Sequence, residues 1–369
     1  MQLRRAPLED WLRDSYFDAR IDISSSGVEP YSMAELFELT GLEPRHLAEV
    51  TFRDSRSCGA PELRSAIAQR WGDGDPSRVM VTHGSGEAQY MVLTTLLRPG
   101  DEVVVVEPAY HTLVGIAEAI GCTVVPWRLR FEDGFVPDLD ALASLVTPRT
   151  RAVIANFPHN PTGISVDAQA QRRIVDTARA HGAYLIWDSV FADMRYDGHL
   201  PANPAMEYDR AISFGTFSKG LGLPGLRVGW CFAPEPLIDK LVVMRDYTTL
   251  ALSPLVEQVA LHAVRGADAL LVPKMELARR NLSVLDSWMA EHDEKADWVR
   301  PHGGVVAFPR LRGVDDEQFC DRLMREHGVL LIPGRCFGMP GHVRLGFGVP
   351  TDQLRDGLDR MSRLLDETR

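Results

Sequence analysis

The chain has 369 residues, 45% of them hydrophobic and 25% charged, a globular composition with length enough for two domains. Its 51 acidic residues against 40 basic leave a formal charge of −11, which argues against a nucleic-acid or anionic-membrane partner. No apolar run approaches the ~18 residues of a membrane span, residues 1–20 lack a signal-peptide core, and five scattered cysteines without a C-x-x-C pair suggest neither disulfides nor a metal site, so a reduced, cytoplasmic protein is expected.

In chain order, a short amphipathic segment around Leu8, Trp11, Leu12 and Phe17 comes first. An extended small-residue stretch, Ser24-Ser25-Ser26-Gly27-Val28-Glu29, follows as a candidate mobile flap over a site. Apolar positions at Leu63, Ile67 and Trp71 predict a helix from Pro61 to Trp71. The strand Val79-Met80-Val81 runs into Gly84-Ser85-Gly86 and a long helix to Leu97. That junction aims backbone N–H groups into one pocket and suits a phosphate, although glycine-rich helix starts are also common structural devices.

Strands and helices then alternate: 102–106 and 110–120, 123–126 and 139–146, 152–155 and 168–180, then 183–187, with two further strands at 211–215 and 227–232. Near-continuous apolar strands alternating with helices predict an α/β fold with a mostly parallel sheet of about seven strands, covered on both faces. Long helices are expected at 234–246, 254–265 and 267–291. An α+β unit follows, with strands at 304–309, 329–332 and 342–347 and helices at 315–326 and 351–366. The domain reading is a large domain over 45–265, a small one over 266–369, and an N-terminal segment, 1–44, packing with the small one.

The most distinctive stretch runs from Ser213 to Gly229. Lys219 is flanked by small and apolar residues, and desolvation there favours the neutral amine that attacks a carbonyl. Hydroxyls at Thr216 and Ser218, with Arg227 eight residues beyond the lysine, suit a phosphate dianion. An aldehyde carried on a phosphate is pyridoxal phosphate; the alternative is a plain strand-loop-strand with an exposed lysine. Ligands of open parallel sheets sit at the carboxyl ends of strands, where three more residues stand out. Asp188 ends a very apolar strand, either to hold a proton on a pyridine nitrogen or to cap the segment after it. Asn160, in Asn160-Pro161-Thr162-Gly163, offers an amide to a phenolate oxygen or is part of a bare turn. Tyr110, after Glu107-Pro108-Ala109, offers a stacking face or is an ordinary core aromatic.

Together and in this order, the glycine loop, the aromatic after Glu-Pro, Asn-Pro-Thr-Gly, Asp188 and the lysine with its arginine resemble the fold type I pyridoxal-phosphate enzymes of the class I/II aminotransferase family. The resemblance covers nearly the whole chain. It implies a cofactor linked to Lys219 as a Schiff base, paired at its ring nitrogen with Asp188 and at its ring oxygen with Asn160. It also implies stacking on Tyr110, phosphate binding by Ser85, Gly86, Thr216, Ser218 and Arg227, a substrate carboxylate held by Arg344, and a homodimer. Two departures stand out: Phe191 occupies the place where the family usually carries a tyrosine, and no tyrosine precedes Gly59 to reach a partner's phosphate.

A narrower resemblance rests on Ala6-Pro7-Leu8-Glu9-Asp10-Trp11-Leu12, Asp22-Ile23-Ser24-Ser25-Ser26-Gly27-Val28, Phe52-Arg53-Asp54 and Gly222-Leu223-Pro224-Gly225-Leu226-Arg227. It points to the guanidine-cyclising subgroup that includes capreomycidine synthase and the streptolidine-forming cyclase of antibiotic biosynthesis. The reaction it implies is loss of the α-proton to Lys219, loss of a β-hydroxyl as water, and attack of the substrate's own guanidine. Ser26, Gly27, Glu29, Asn160 and Arg344 are the candidate substrate residues, with Glu29 either the guanidinium partner or an ordinary solvated glutamate. An aminotransferase using a 2-oxo acid and a β-eliminating lyase share the cofactor residues and remain alternatives. A cofactor-sensing regulator is disfavoured by the negative charge.

Overall fold

The computed structural model describes residues 2–199 and 202–367. Its large sheet has seven strands: β1 (Val79–Thr82), β2 (Glu102–Glu107), β3 (Thr123–Arg128), β4 (Thr150–Asn156), β5 (Tyr184–Asp188), β6 (Ala211–Thr216) and β7 (Gly229–Phe232). They lie in the order β1-β7-β6-β5-β4-β2-β3, and only β7 runs antiparallel to its neighbours. Side chains alternate across a strand, and here both faces are packed. Val104, Val106, Val153, Ala155, Leu185 and Trp187 enter one apolar cluster, while Val103, Val105, Ala152, Ile154, Ile186 and Ile212 enter the opposite one. Each such aliphatic side chain contributes about 1.5–3 kcal/mol by burial, which is why these strands read as continuous apolar runs.

The registers bring the functional ends together. Asn156 of β4 lies beside Asp188 of β5, which lies beside Phe214 of β6. Leu8 is buried in the first of these clusters, on the helix Pro7–Ser15, but Phe17, read as part of that apolar face, lies beyond the helix and is 90% exposed.

The C-terminal part builds a three-stranded antiparallel sheet from Val306–Ala307, Val343–Gly346 and Ile332–Pro333. The expected strand over 304–309 is shorter, because Arg310–Leu311 leaves to pair with Ala296–Asp297. Helices Ala267–Glu291, Asp316–His327 and Thr351–Glu367 surround this unit. The N-terminal segment joins it: Ile21–Asp22 pairs in parallel with Val329–Leu330, and Ile21, Ile23 and Val28 share a cluster with Leu331, Leu345, Phe347 and Leu354. Two further helices, Met33–Thr40 and Pro44–Ala48, were not expected from periodicity. The first announces itself through a capping box between Ser32 and Glu35. Among the described residues no helix is long and apolar enough to cross a membrane.

Candidate active site

The carboxyl ends of the sheet open into a cavity of about 320 Å³ lined by Ser85, Gly86, Tyr110, Asn160, Asp188, Thr216, Ser218, Lys219 and Arg227. The nine residues come from five separate stretches of chain, and the strand registers place them in one space.

Lys219 follows β6 in a loop tightened by bonds from Leu223 N to Phe217 O and from Gly222 N to Lys219 O. Its Nζ donates to Ser26 Oγ at 2.7 Å and lies 5.8 Å from the Phe191 ring centre. Desolvation and then the Arg344 guanidinium depress the ammonium from its ordinary range to about 8, against the opposing pull of Asp188 and Glu9. About a tenth is therefore neutral at pH 7, far more than for an ordinary lysine, and that is the form that attacks a carbonyl.

Asp188 is 3% exposed at the end of β5. Its Oδ2 accepts from Gln89 Nε2 at 2.9 Å and its Oδ1 from Val190 N at 3.1 Å. Burial lifts the carboxyl to about 6, while those bonds and Lys219 pull the other way. The capping alternative is present only as the Val190 bond, since the segment beyond forms a single tight turn at Ala192–Met194. A buried carboxylate so raised is stabilised by a cation on its open side, and a protonated pyridine nitrogen supplies one.

At the other end, Gly84 takes a positive φ of 73 at the start of the helix Gly84–Leu96. A Cβ there would meet Arg227 Nη2 at 3.1 Å, and a Cβ on Gly229 would come within 2.5 Å of Ser85 N. Glycines thus let the helix start, β7 and the arginine approach one another. Arg227 itself is left-handed with φ 55, which costs about 1–2 kcal/mol, and donates through Nη1 to Pro224 O at 2.9 Å. Thr216 Oγ1 lies 3.1 Å from Ser218 Oγ. Hydroxyls, helix N–H groups and a guanidinium in one corner fit a phosphate dianion, so the residues present match pyridoxal phosphate at its aldehyde, ring-nitrogen and phosphate ends.

Asn160 N donates to Asn156 Oδ1 at 2.8 Å and its Oδ1 accepts from Arg344 Nη1 at 3.2 Å, which leaves its amide N–H groups for the cavity. Arg344 is 3% exposed, bonds Ser24 O through Nη2 at 2.9 Å, and has a buried Nε without a partner. Burial lowers it to about 10. Such an arginine has donors to spare for a carboxylate.

Ser24 and Ser26 are buried, and a Cβ on Gly27 would lie 2.9 Å from Ser218 O, so the expected mobile flap is packed directly over the lysine loop. Glu29 departs from expectation. Its N–H bonds Gly348 O, its half-exposed carboxylate lies 3.8 Å from Lys274 Nζ, and it does not line the cavity. The flap turns at Gly27, and Glu29, two residues on, belongs to the surface beside Lys274.

Four residues near the site escaped sequence reading. Gln89, which holds Asp188, is one helical turn after Ser85, and that i, i+4 spacing was the available signal. Thr112 donates to Gln89 Oε1. His159, buried and lowered to about 4 by desolvation, bridges Thr162 Oγ1 and Pro108 O and so ties two site loops together. Glu9 lines the cavity and accepts from Tyr110 OH at 2.9 Å; a partner 101 residues away leaves no mark in local sequence.

A family model described as aminotransferase class I and II matches residues 42–361. Capreomycidine synthase of Streptomyces vinaceus is 48% identical over 98% of this chain and 94% of its own length. An arginine–pyruvate transaminase of Pseudomonas aeruginosa is 33% identical over 82% of this chain and 80% of its own. The crystal structure of a pyridoxal-phosphate-dependent cyclase, OrfR, superposes with a TM-score of 0.95 at 44% identity, covering 100% of this chain and 99% of that one. With the cavity's fit to the cofactor, these similarities make the chain a pyridoxal-phosphate-dependent enzyme that belongs to the aminotransferase class I and II family.

Proposed function

We propose that the protein cyclises a β-hydroxylated arginine: the α-proton and the β-hydroxyl leave, and the substrate's guanidine closes onto Cβ to give a capreomycidine-type amino acid. The observation that carries this reading is the 48% identity to capreomycidine synthase over nearly the full length, well above the 33% to the arginine transaminase. Bound at this site, pyridoxal phosphate supplies the electron sink that takes up charge left at Cα.

The chain's own residues supply the rest. Lys219 Nζ, kept near the neutral form by its surroundings, takes the proton from Cα and returns one there. Asp188, held by Gln89 and Val190, keeps the proton on the ring nitrogen. Tyr110 stacks on the ring, Asn160 donates to its oxygen, and Ser85, Gly86, Thr216, Ser218 and Arg227 hold the phosphate. Arg344, with Asn160 beside it, orients the substrate carboxylate. Ser26 fixes the lysine and, with Gly27, closes the site over an unsaturated substrate that water would otherwise intercept. Holding the guanidine close to Cβ makes ring closure intramolecular, for which effective molarities reach roughly 10⁵ M in favourable systems. Phe191, at 1% exposure, puts a ring without a hydroxyl beside the lysine, so no phenol bonds the cofactor oxygen from that side.

The same reading divides the chain into a large unit, 45–265, and a smaller one, 266–369, that takes the segment 1–44 with it. The shared cluster of Ile21, Ile23 and Val28 with C-terminal residues supports this division. It also makes the protein a homodimer. Phe52, Val243, Tyr247 and Leu250 are all more than half exposed, an apolar surface suited to a second copy. Light scattering at micromolar concentration is expected to give twice the chain mass of 41.1 kDa; a monomer throughout contradicts this assembly.

The experiment for the reaction itself is acceptor independence. Incubated with 3-hydroxyarginine and no 2-oxo acid, the holoenzyme is expected to yield a product lighter by one water. Conversion only when a 2-oxo acid is supplied, or release of ammonia with a keto product, replaces the cyclase with the aminotransferase or the lyase.

A further inference from the structure

We propose that Glu9 receives the guanidinium of the substrate and is thereby the residue that selects arginine-type side chains, an inference that rests on the guanidino-substrate reading above. Among the described residues the cavity lining contains two carboxylates, Glu9 and Asp188. Asp188 is buried at the bottom, bonded to Gln89 and Val190, and committed to the ring nitrogen. Glu29 is drawn to Lys274 outside the lining. A cationic side chain entering this space therefore meets one uncommitted anion.

Glu9 is also placed rather than loose. It sits on the helix Pro7–Ser15, which Leu8 anchors in the core and Trp11 ties down through Nε1 to Leu331 O at 2.8 Å. Tyr110 OH donates to Oε1 at 2.9 Å, while Oε2 takes no hydrogen bond among the described residues. An ionised carboxylate accepts about four hydrogen bonds, so most of its capacity is unused, and a guanidinium is a donor that can take it up. The side chain is 40% exposed, so a ligand reaches it without first removing another partner.

The neighbours preserve that charge. His111 Nδ1 lies 4.0 Å from Oε1, buried and without a hydrogen-bond partner, and desolvation lowers its pKa, which keeps it neutral. The charge of Glu9 is felt at both Lys219 and Arg344, the residues assigned above to the substrate's Cα and carboxylate. On the reading above, one amino acid engages Arg344 with its carboxylate and Glu9 with its far end. Because Tyr110 both stacks on the cofactor ring and holds Glu9, the guanidinium contact is tied to the reacting end of the site.

The test titrates arginine and norvaline, which lacks the guanidinium, into the holoenzyme and follows binding by calorimetry and by the change in cofactor absorbance. Glu9→Gln is expected to weaken arginine about 10- to 100-fold and norvaline by less than about threefold, the range for a lost charge-assisted hydrogen bond. Glu29→Gln is expected to leave both ligands within about twofold, because Glu29 lies outside the cavity lining. Unchanged arginine binding in Glu9→Gln, equal weakening of both ligands, or a selective arginine defect in Glu29→Gln overturns the assignment. If arginine depends on Glu9 but hydroxyarginine never loses water, the inference stands and the ring-closing reading falls. If Glu9→Gln cyclises hydroxyarginine with undiminished affinity, the reverse holds.

Discussion

Lys219→Ala is expected to eliminate turnover, by on the order of 10⁴-fold or more, since in the proposed reaction one amine serves both as the cofactor's covalent anchor and as the acid–base group at Cα. The chain carries four lysines, Lys219, Lys240, Lys274 and Lys295, so borohydride reduction and peptide mapping give an unambiguous answer. The pyridoxyl group is expected on Lys219 in the wild type and on none in the variant, which should stay folded. Labelling of another lysine contradicts the assignment. The lowered pKa has a consequence of definite sign. Only the neutral amine attacks the cofactor aldehyde, so cofactor uptake by the apoprotein is expected to rise about tenfold per pH unit below about 8 and to level off above it. A lysine in its ordinary range keeps rising for two further units.

Asp188→Asn is the second large effect. The substitution keeps the shape and a partner for Gln89 but removes the charge that holds a proton on the ring nitrogen. Breaking a buried ion pair costs about 3–5 kcal/mol, which corresponds to a rate loss on the order of 10²–10⁴. A variant within about threefold of wild type, less than 1 kcal/mol, removes Asp188 from the role assigned to it.

Much of this site was legible because its residues are punctuation. Asp188 interrupts Tyr184-Leu185-Ile186-Trp187, and Lys219 interrupts a run of small and apolar residues, so each marks the point where a buried strand meets a ligand. Ser85 and Gly86 are visible for the same reason, at a strand-to-helix junction. The sheet itself could be read because Val103 to Val106 are buried on both faces, which abolishes alternation and leaves an apolar run.

What could not be read depends on contacts between distant segments. Glu9 and Glu29 are both acidic residues near the chain start, and nothing local separates the one that meets Tyr110 from the one that meets Lys274. Position relative to the flap favoured Glu29, whereas the helix Pro7–Ser15 brings Glu9 into the cavity lining. Phe17 misled for a simpler reason: it lies two residues past the end of the helix Pro7–Ser15, where the chain no longer turns it onto the packed face. Gln89 stayed hidden because its one local mark, a helical turn's distance from Ser85, does not say that its partner is a carboxylate on a distant strand.

The central claim is that the amino group stays on the substrate while Cα loses and regains a proton. It is tested most directly by isotopes. Hydroxyarginine labelled with nitrogen-15 at the α-amino group is incubated with the holoenzyme in D₂O, without any 2-oxo acid, and the product is analysed by mass spectrometry and NMR. The account predicts a cyclic product that retains the labelled nitrogen, carries deuterium at Cα, and leaves the cofactor in its aldehyde form. Labelled nitrogen released as ammonia, or left on the cofactor in its amine form, contradicts it.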